Sequence, residues 1–155
     1  MQLKTGKRAP DFRLWDQEKN EHSLSDYLGK WVLIYFYPKD DTPGCTVEAK
    51  GIRDLHGEFE RLNTVILGIS KDTAPSHRRF IEKYDLPFTL LSDQQKQVIE
   101  MYGALGLKKF MGKEYMGVLR NSYLINPEGM IAKIYEGVTP EVHAEEVIKD
   151  IEELS

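Results

Sequence analysis

The apolar run Trp-Val-Leu-Ile-Tyr-Phe-Tyr at positions 31 to 37 constrains the fold of this chain more than any other stretch. A strand with one face in water alternates apolar and polar residues, whereas this run has no polar break and is far too short to span a membrane. It therefore predicts a strand that is buried on both faces, as the central strands of α/β sheets are. Thr-Val-Ile-Leu-Gly-Ile-Ser at 64 to 70 predicts a second strand of this kind.

The segment between these two strands has the periodicity of one amphipathic helix. Its apolar residues recur at steps of three and four positions: Ala49, Ile52, Leu55, Phe59 and Leu62. A strand, a helix and a second strand form a βαβ unit, whose crossover is expected to be right-handed.

Local signals predict the remaining elements. They are a small hairpin formed by 11–15 and 21–25, a helix from about Pro75 to Tyr84, a short strand around 87–92, a helix that begins at Ser92 or Asp93 and ends before Gly103, a hairpin around Asn126-Pro127-Glu128-Gly129, and a last helix capped by Thr139 with Pro140 at its first position. These are the parts of a thioredoxin-like fold. We therefore expect one α/β domain over residues 1–155, with a central mixed sheet flanked by helices and an N-terminal β-hairpin extension.

Composition limits the function classes. The net charge of −4 is spread over the 155 residues with no run of five or more like charges, which argues against a nucleic-acid surface. The polar N-terminus lacks the apolar core of a secretion signal, so we expect a cytoplasmic protein that does not bind membranes. One cysteine allows no internal disulfide, and the four histidines show no zinc-ligand spacing, so we expect neither a metal nor another cofactor.

The single cysteine, Cys45, follows the first predicted strand at the start of the helix. Thr42 and Pro43 have the pattern of a capping hydroxyl followed by proline at the first helical position, which places Cys45 in the first turn. Free backbone N–H groups and the positive end of the helix dipole favour a thiolate there, and such positions lower a cysteine pKa from about 8.5 to about 3.5–7.5. The helix end alone supplies only part of that shift, so a cation from elsewhere in the chain is needed.

Three other interpretations of Cys45 remain open at this point. It lies four residues before Ala49 and seven before Ile52 on the apolar helix face, which is also typical of an inert core cysteine. A thioredoxin-like thiol–disulfide exchange protein would use such a cysteine, although the chain contains no C-x-x-C motif. A non-enzymatic module could use the helix start to bind an anion.

The spacing P-x-x-x-T-x-x-C formed by Pro38, Thr42 and Cys45 resembles the active-site signature of peroxiredoxins. FYPKDDTPGCTVEA resembles the peroxiredoxin Q, or bacterioferritin comigratory protein, subfamily in particular. So do three further segments in the same order: GKRAPDFRL near the start, KYDLPFTLLSD at 83–93 and GKEYMGVLRNSYLINPEG at 112–129. The resemblance implies a thioredoxin-like fold and an antioxidant peroxidase that reduces hydrogen peroxide and organic hydroperoxides.

The resemblance also implies roles for individual residues. Cys45 corresponds to the cysteine that attacks the peroxide and becomes a sulfenic acid. The Thr42 hydroxyl, the Cys45 backbone N–H and the Arg120 guanidinium correspond to donors for the two peroxide oxygens. Arg120 is expected to open the first strand of the second hairpin; without the motif it would pass as a surface arginine.

The roles expected for Pro38, Glu48 and Tyr37 each have an alternative explanation. Pro38 corresponds to the proline that shields the thiolate from water, and it also suits the end of a strand. Glu48 corresponds to the carboxylate that pairs with Arg120, although a solvated helix carboxylate has the same spacing. Tyr37 could line the pocket, but packing suits its position better.

The chain departs from the subfamily at position 50. Many members carry a resolving cysteine five residues after the first, and here that residue is Lys50. The resemblance therefore implies a one-cysteine cycle, in which an external thiol reduces the sulfenic acid. The expected reductant is thioredoxin, glutaredoxin or a low-molecular-weight thiol, and the expected assembly is a monomer or weak dimer.

One segment before Arg120 has an unusual composition. Residues 107–117 combine three lysines, two methionines and two aromatic residues. We expect either a mobile rim that contacts the peroxide or the reductant, or a solvated loop.

Overall fold

The computed structural model describes residues 3–155. In this part of the chain the helices and strands, in order, are β1 (Arg13–Asp16), β2 (Glu21–Ser23), β3 (Trp31–Phe36), α1 (Pro43–Asp54), α2 (His56–Arg61), β4 (Thr64–Ser70), α3 (Ala74–Tyr84), β5 (Thr89–Ser92), α4 (Gln97–Met101), β6 (Leu105–Phe110), β7 (Lys113–Val118), β8 (Ser122–Ile125), β9 (Ile131–Tyr135) and α5 (His143–Leu154). No helix within residues 3–155 has both the length and the apolar character needed to cross a membrane.

The central sheet is mixed and has the strand order β2-β1-β5-β4-β3-β8-β9. β3 pairs with β4 in parallel and with β8 antiparallel, and β4 pairs with β5 in parallel. The predicted central strands, the N-terminal hairpin β1–β2 and the hairpin β8–β9 are therefore confirmed, as is the α/β thioredoxin-like class.

Strand β3 lies at the centre of this sheet, and every one of its residues is buried. Leu33 and Tyr35 belong to the core on one face, together with residues of α1, α2, α3 and α5. Val32, Ile34 and Phe36 belong to the core on the other face, together with residues of α4 and β1. Two covered faces explain why the run has no polar break.

Three predicted helix boundaries are wrong. The single helix expected after β3 is broken at Leu55, whose ψ of 12° leaves the helical range and separates α1 from α2. The helix expected at Ser92 or Asp93 begins only at Gln97, because the Asp93 carboxylate accepts the backbone N–H groups of Gln97 and Ile99 and holds a turn before the helix.

The last helix also begins later than expected. Thr139 and Pro140 do not start it; the N–H of Val142 donates to the Thr139 carbonyl in a turn, and α5 begins at His143. His143 is fully buried, and its Nε2 lies 2.8 Å from the Ser122 hydroxyl, which fixes the helix start against β8.

The segment at 107–117 is a regular hairpin and not a loop. Within residues 3–155, β6 and β7 pair only with each other, in a separate two-stranded sheet. Met111 and Gly112 connect them with φ angles of 52° and 80°, the left-handed pair that a tight hairpin turn requires.

Candidate active site

Cys45 lies where the central strand gives way to a helix. β3 ends at Phe36, the chain passes through a short loop, and α1 begins at Pro43, so Cys45 is in the first turn as predicted. The first intrahelical bond runs from the Thr46 N–H to the Thr42 carbonyl at 2.8 Å, which leaves the amide of Cys45 without a helical acceptor. The residue is 1% exposed. A buried thiolate here faces free backbone N–H groups.

Arg120 supplies the cation that the helix start needs. Its Nη2 lies 3.4 Å from the Cys45 Sγ. Arg120 was expected to open the first strand of the hairpin, but β8 begins two residues later, at Ser122. Its backbone is fixed instead by its carbonyl, which accepts the Val138 N–H at 2.9 Å.

Gly44 makes room for that guanidinium. A Cβ atom at this position would lie 2.6 Å from the Arg120 Nη2, closer than real contacts allow. Any side chain at position 44 would therefore push the guanidinium away from the sulfur.

Glu48 lies one turn after Cys45 and is 1% exposed. The Arg120 Nη1 donates to its Oε1 at 3.4 Å, so the predicted pairing of the two residues is present. Burial raises the pKa of Glu48 to about 7, against the opposing effect of Arg120. Its Oε2 and the nearby Tyr35 hydroxyl are buried without a hydrogen-bond partner among residues 3–155.

Thr42 and Pro38 belong to the loop between β3 and α1. Thr42 precedes the helix as predicted, but its hydroxyl does not cap it: the Oγ1 donates to the Lys39 carbonyl at 2.8 Å. That bond uses the only hydroxyl hydrogen, so Thr42 is not positioned as the donor that the resemblance implied, and its oxygen is available as an acceptor instead. Pro38 is half-buried directly after Tyr37.

A buried polar network under the loop was missed by sequence reasoning. Asp40 accepts hydrogen bonds from the Tyr37 hydroxyl at 2.5 Å and the Ser76 hydroxyl at 2.8 Å, and its Oδ2 lies 2.7 Å from the His77 Nδ1. The other ring nitrogen of His77 donates to the Leu91 carbonyl at 3.1 Å. The network ties the loop that carries Pro38 and Thr42 to α3, and the spacing of Asp40 and His77 gives no signal of it.

The same network contains a group with metal-ligating atoms. Asp40, Asp72 and His77 present such atoms within 4.8 Å of one another. The Oδ2 of Asp72, however, already accepts the Asp40 N–H at 2.9 Å and the Ser70 hydroxyl at 2.6 Å. With the Asp40 carboxylate also engaged by two hydroxyl donors and in contact with the His77 ring, these atoms fit a loop anchor better than a metal site.

Two lysines bear on the expectations for the site. Lys50, at the position of the absent resolving cysteine, lies on the exposed side of α1 with its Nζ 5.8 Å from the centre of the Tyr84 ring. Lys108, from β6, shares an open cavity of about 470 Å³ with Arg120. The predicted site residues are thus assembled from α1, the loop before it and the segment between β7 and β8.

The chain is similar to several known proteins. The model of the AhpC/TSA family matches residues 5–134. The peroxiredoxin Bcp of Bacillus subtilis is 42% identical over 155 residues, covering 100% of this chain and 99% of the relative. The peroxiredoxin Bcp of Escherichia coli K12 is 44% identical over 151 residues and covers 97% of each chain.

Solved structures show the same likeness. A cysteine-to-serine mutant of PrxQ from Xylella fastidiosa superposes with a TM-score of 0.94 at 29% identity, covering 99% of this chain and 98% of its own. A bacterioferritin comigratory protein of Xanthomonas campestris, described for its alkyl peroxide reduction activity, superposes with a TM-score of 0.90 at 30% identity, covering 97% and 99%.

Proposed function

This chain belongs to the AhpC/TSA family, as a thiol-dependent peroxidase similar to peroxiredoxin Bcp, and on that basis we propose that Cys45 reduces peroxides as the only redox-active residue of the cycle. One observation carries the proposal: the Sγ of Cys45 lies at the amino end of α1, 3.4 Å from the Arg120 guanidinium. A cation and free backbone N–H groups together stabilise a buried thiolate.

In the peroxide step, the Cys45 thiolate attacks the terminal oxygen of ROOH. The S–O bond forms as the O–O bond breaks, the sulfur is oxidised to a sulfenic acid, and the leaving RO⁻ takes up a proton to give ROH. Arg120 and the Cys45 N–H stabilise the charge that builds on the departing oxygen. The Thr42 oxygen accepts the hydrogen of the terminal peroxide O–H, and Pro38 limits the access of water.

Glu48 acts in this scheme through Arg120. Its Oε1 receives the Nη1 hydrogen, which leaves Nη2 directed at the sulfur. Because a guanidinium offers donors in a fixed plane, holding one nitrogen orients the other. Glu48 is therefore a positioning residue.

In the return step, an external thiol reduces the enzyme. The thiol R′SH attacks the Cys45 sulfenic acid, giving a Cys45–S–S–R′ mixed disulfide and water. A second thiol then releases Cys45 and leaves with R′ as a disulfide. The chain has no second cysteine for an internal route.

The proposed substrates are hydrogen peroxide and organic hydroperoxides. The proposed location is the cytoplasm, where thiol reductants are kept reduced. The reductant is a protein dithiol or a small thiol.

Peroxide consumption with several thiol donors tests this function. The parent enzyme should consume peroxide with at least one donor, and Cys45→Ser should consume none above the rate without enzyme. Activity retained in Cys45→Ser would overturn the proposal.

A further inference from the structure

The β6–β7 hairpin has two chemically different faces. Residues directly opposite each other in an antiparallel pair share a face, and successive pairs alternate between faces. One face, called here the basic aromatic face, consists of Lys108 opposite Tyr115 and Phe110 opposite Lys113. The opposite face consists of Leu107 opposite Met116 and Lys109 opposite Glu114.

Charge separates the two faces more sharply than hydrophobicity does. Phe110 is 67% exposed and Leu107 is 60% exposed, so each face carries exposed apolar surface. On the opposite face, Lys109 is paired with Glu114 at 3.7 Å. The basic aromatic face has two lysines and no acidic residue, so it is complementary to an acidic surface.

The basic aromatic face is continuous with the active site. Lys108 and Arg120 line one open cavity. Burial and the Arg120 charge lower the pKa of Lys108, and Cys45 opposes them, which is consistent with a position beside the reactive sulfur. A molecule that covers this face therefore reaches Arg120, whose Nη2 lies 3.4 Å from the Cys45 Sγ.

We propose that the basic aromatic face docks an acidic protein dithiol that reduces the oxidised Cys45; this rests on the proposed function. A small thiol can occupy the cavity at Lys108. Phe110 lies two residues further along the strand, roughly 7 Å away, so a small thiol in that cavity does not contact it, whereas a protein can contact both residues. Aromatic residues and arginine are enriched in protein–protein contacts, and this face combines Phe110 and Tyr115 beside Arg120. An acidic surface around the partner's reactive cysteine would match Lys108, Lys113 and Arg120.

The chemistry of the docked complex balances without a further reactant. Cys45 is 1% exposed in the reduced fold, so a protein cannot reach its sulfur there. In the docked complex the sulfenic acid therefore turns toward the cavity. The partner's thiolate attacks its sulfur, a Cys45–partner disulfide forms, and the hydroxyl leaves as water after taking up one proton. The partner's second thiol then displaces Cys45, so the partner leaves oxidised and Cys45 reduced.

Two matched double variants test the proposal. Phe110→Ser with Lys113→Glu alters the basic aromatic face, and Leu107→Ser with Lys109→Glu makes the same change of net charge and removes one exposed apolar side chain on the opposite face. The reductants are a thioredoxin of net negative charge, glutathione as a small acidic thiol, and dithiothreitol as a small neutral dithiol. The readout is the kcat/KM for thioredoxin divided by that for dithiothreitol in the same variant, so that a general loss of activity cancels.

The first variant should lower this ratio by about tenfold or more, and the second should change it by less than about twofold. The glutathione-to-dithiothreitol ratio should stay within about twofold in both, and the thioredoxin rate should fall with added salt in the parent more steeply than in the first variant. Equal ratios in both variants, or an equal loss with glutathione, would overturn the docking proposal. Failure of the parent to consume peroxide with any of the three donors would instead overturn the proposed function.

Discussion

At the scale of single residues, the site is defined by one cation shared between two acidic side chains. Arg120 reaches the Cys45 sulfur with Nη2 and the Glu48 Oε1 with Nη1, both at 3.4 Å. Cys45 and Glu48 are each 1% exposed, so water stabilises neither negative charge. The resemblance predicted all three residues, but the crowding at Gly44 and the unpartnered Oε2 of Glu48 depend on distances that no spacing encodes.

Replacing Arg120 tests its role in the peroxide step. Arg120→Met should slow the reaction with peroxide by about two to three orders of magnitude, or about 2.7–4 kcal/mol, as expected for a lost transition-state donor. Arg120→Lys should also be slow, because a lysine cannot serve both partners from a planar fork. Stopped-flow measurement of peroxide oxidation gives the rates. Arg61→Met, on the exposed side of α2, is the control and should react at the parental rate; a parental rate in Arg120→Met would remove Arg120 from the mechanism.

The raised pKa of Glu48 predicts that the stability of the fold depends on pH. Its pKa is about 7 in the folded protein, against 4.5 for a free side chain, so folding takes up a proton between these values. The unfolding free energy should therefore fall as the pH rises from 4.5 to 7, by about 3 kcal/mol in total, and stay low above 7.

The measurement compares Cys45→Ser with Cys45→Ser/Glu48→Gln by urea unfolding at pH 5 and pH 8. The serine background removes the thiol titration, and the glutamine removes that of Glu48. The Glu48→Gln variant should gain about 2 to 3 kcal/mol relative to its parent between pH 5 and pH 8, since part of the change already lies below pH 5. If the two variants differed in unfolding free energy by the same amount at pH 5 and at pH 8, Glu48 would be ionised throughout this range, which contradicts the prediction.

At the scale of helices and strands, uniform apolar runs predicted the central sheet well. The apolar composition of β3 and β4 is enough to predict that they are buried. The turn between β8 and β9 was predictable from residues such as Gly129, whose φ of 85° favours glycine. Helix starts were predicted less well, because the local bonds of the Asp93 carboxylate delay α4 and a tertiary hydrogen bond from His143 to Ser122 fixes the start of α5. The loop before α1 shows the same dependence, since its anchor lies on α3.

The anchor between Asp40 and His77 predicts a joint effect on stability and rate. His77→Phe keeps the ring volume but leaves the buried Asp40 carboxylate without its closest nitrogen partner, which should cost about 3 kcal/mol or more of unfolding free energy. The loop carrying Pro38 and Thr42 should then shift, and the peroxide reaction should slow by about tenfold or more.

Urea unfolding and stopped-flow rates on the same samples measure both effects. His56→Phe is the control, because His56 pairs with the exposed Glu60 at 3.3 Å on α2; it should change stability by no more than about 0.5 kcal/mol and leave the rate unchanged. A destabilised His77→Phe variant that kept the parental rate would show that the network only supports the fold.

At the scale of the whole molecule, the fold brings distant parts of the chain to one sulfur. Arg120 is 75 residues from Cys45, and His77 is 37 residues from Asp40. The family resemblance could identify Arg120 because the segment at 112–129 includes it, whereas only the topology brings α3 beneath the loop. The absence of a second cysteine, by contrast, is plain in the sequence, and it determines what the oxidised molecule can become.

The mass of the protein after one equivalent of peroxide, without reductant, tests the one-cysteine account most directly. Because no other cysteine is present, oxidation should add one oxygen atom to an otherwise unchanged chain, and dimedone should trap it on Cys45. Excess peroxide should then add a second oxygen, and a small thiol given before the excess should return the mass to the reduced value. Intact-mass spectrometry reads each state, with Cys45→Ser as the control that stays unmodified. A doubled mass would replace the account with resolution between two chains, and an unchanged mass would contradict it.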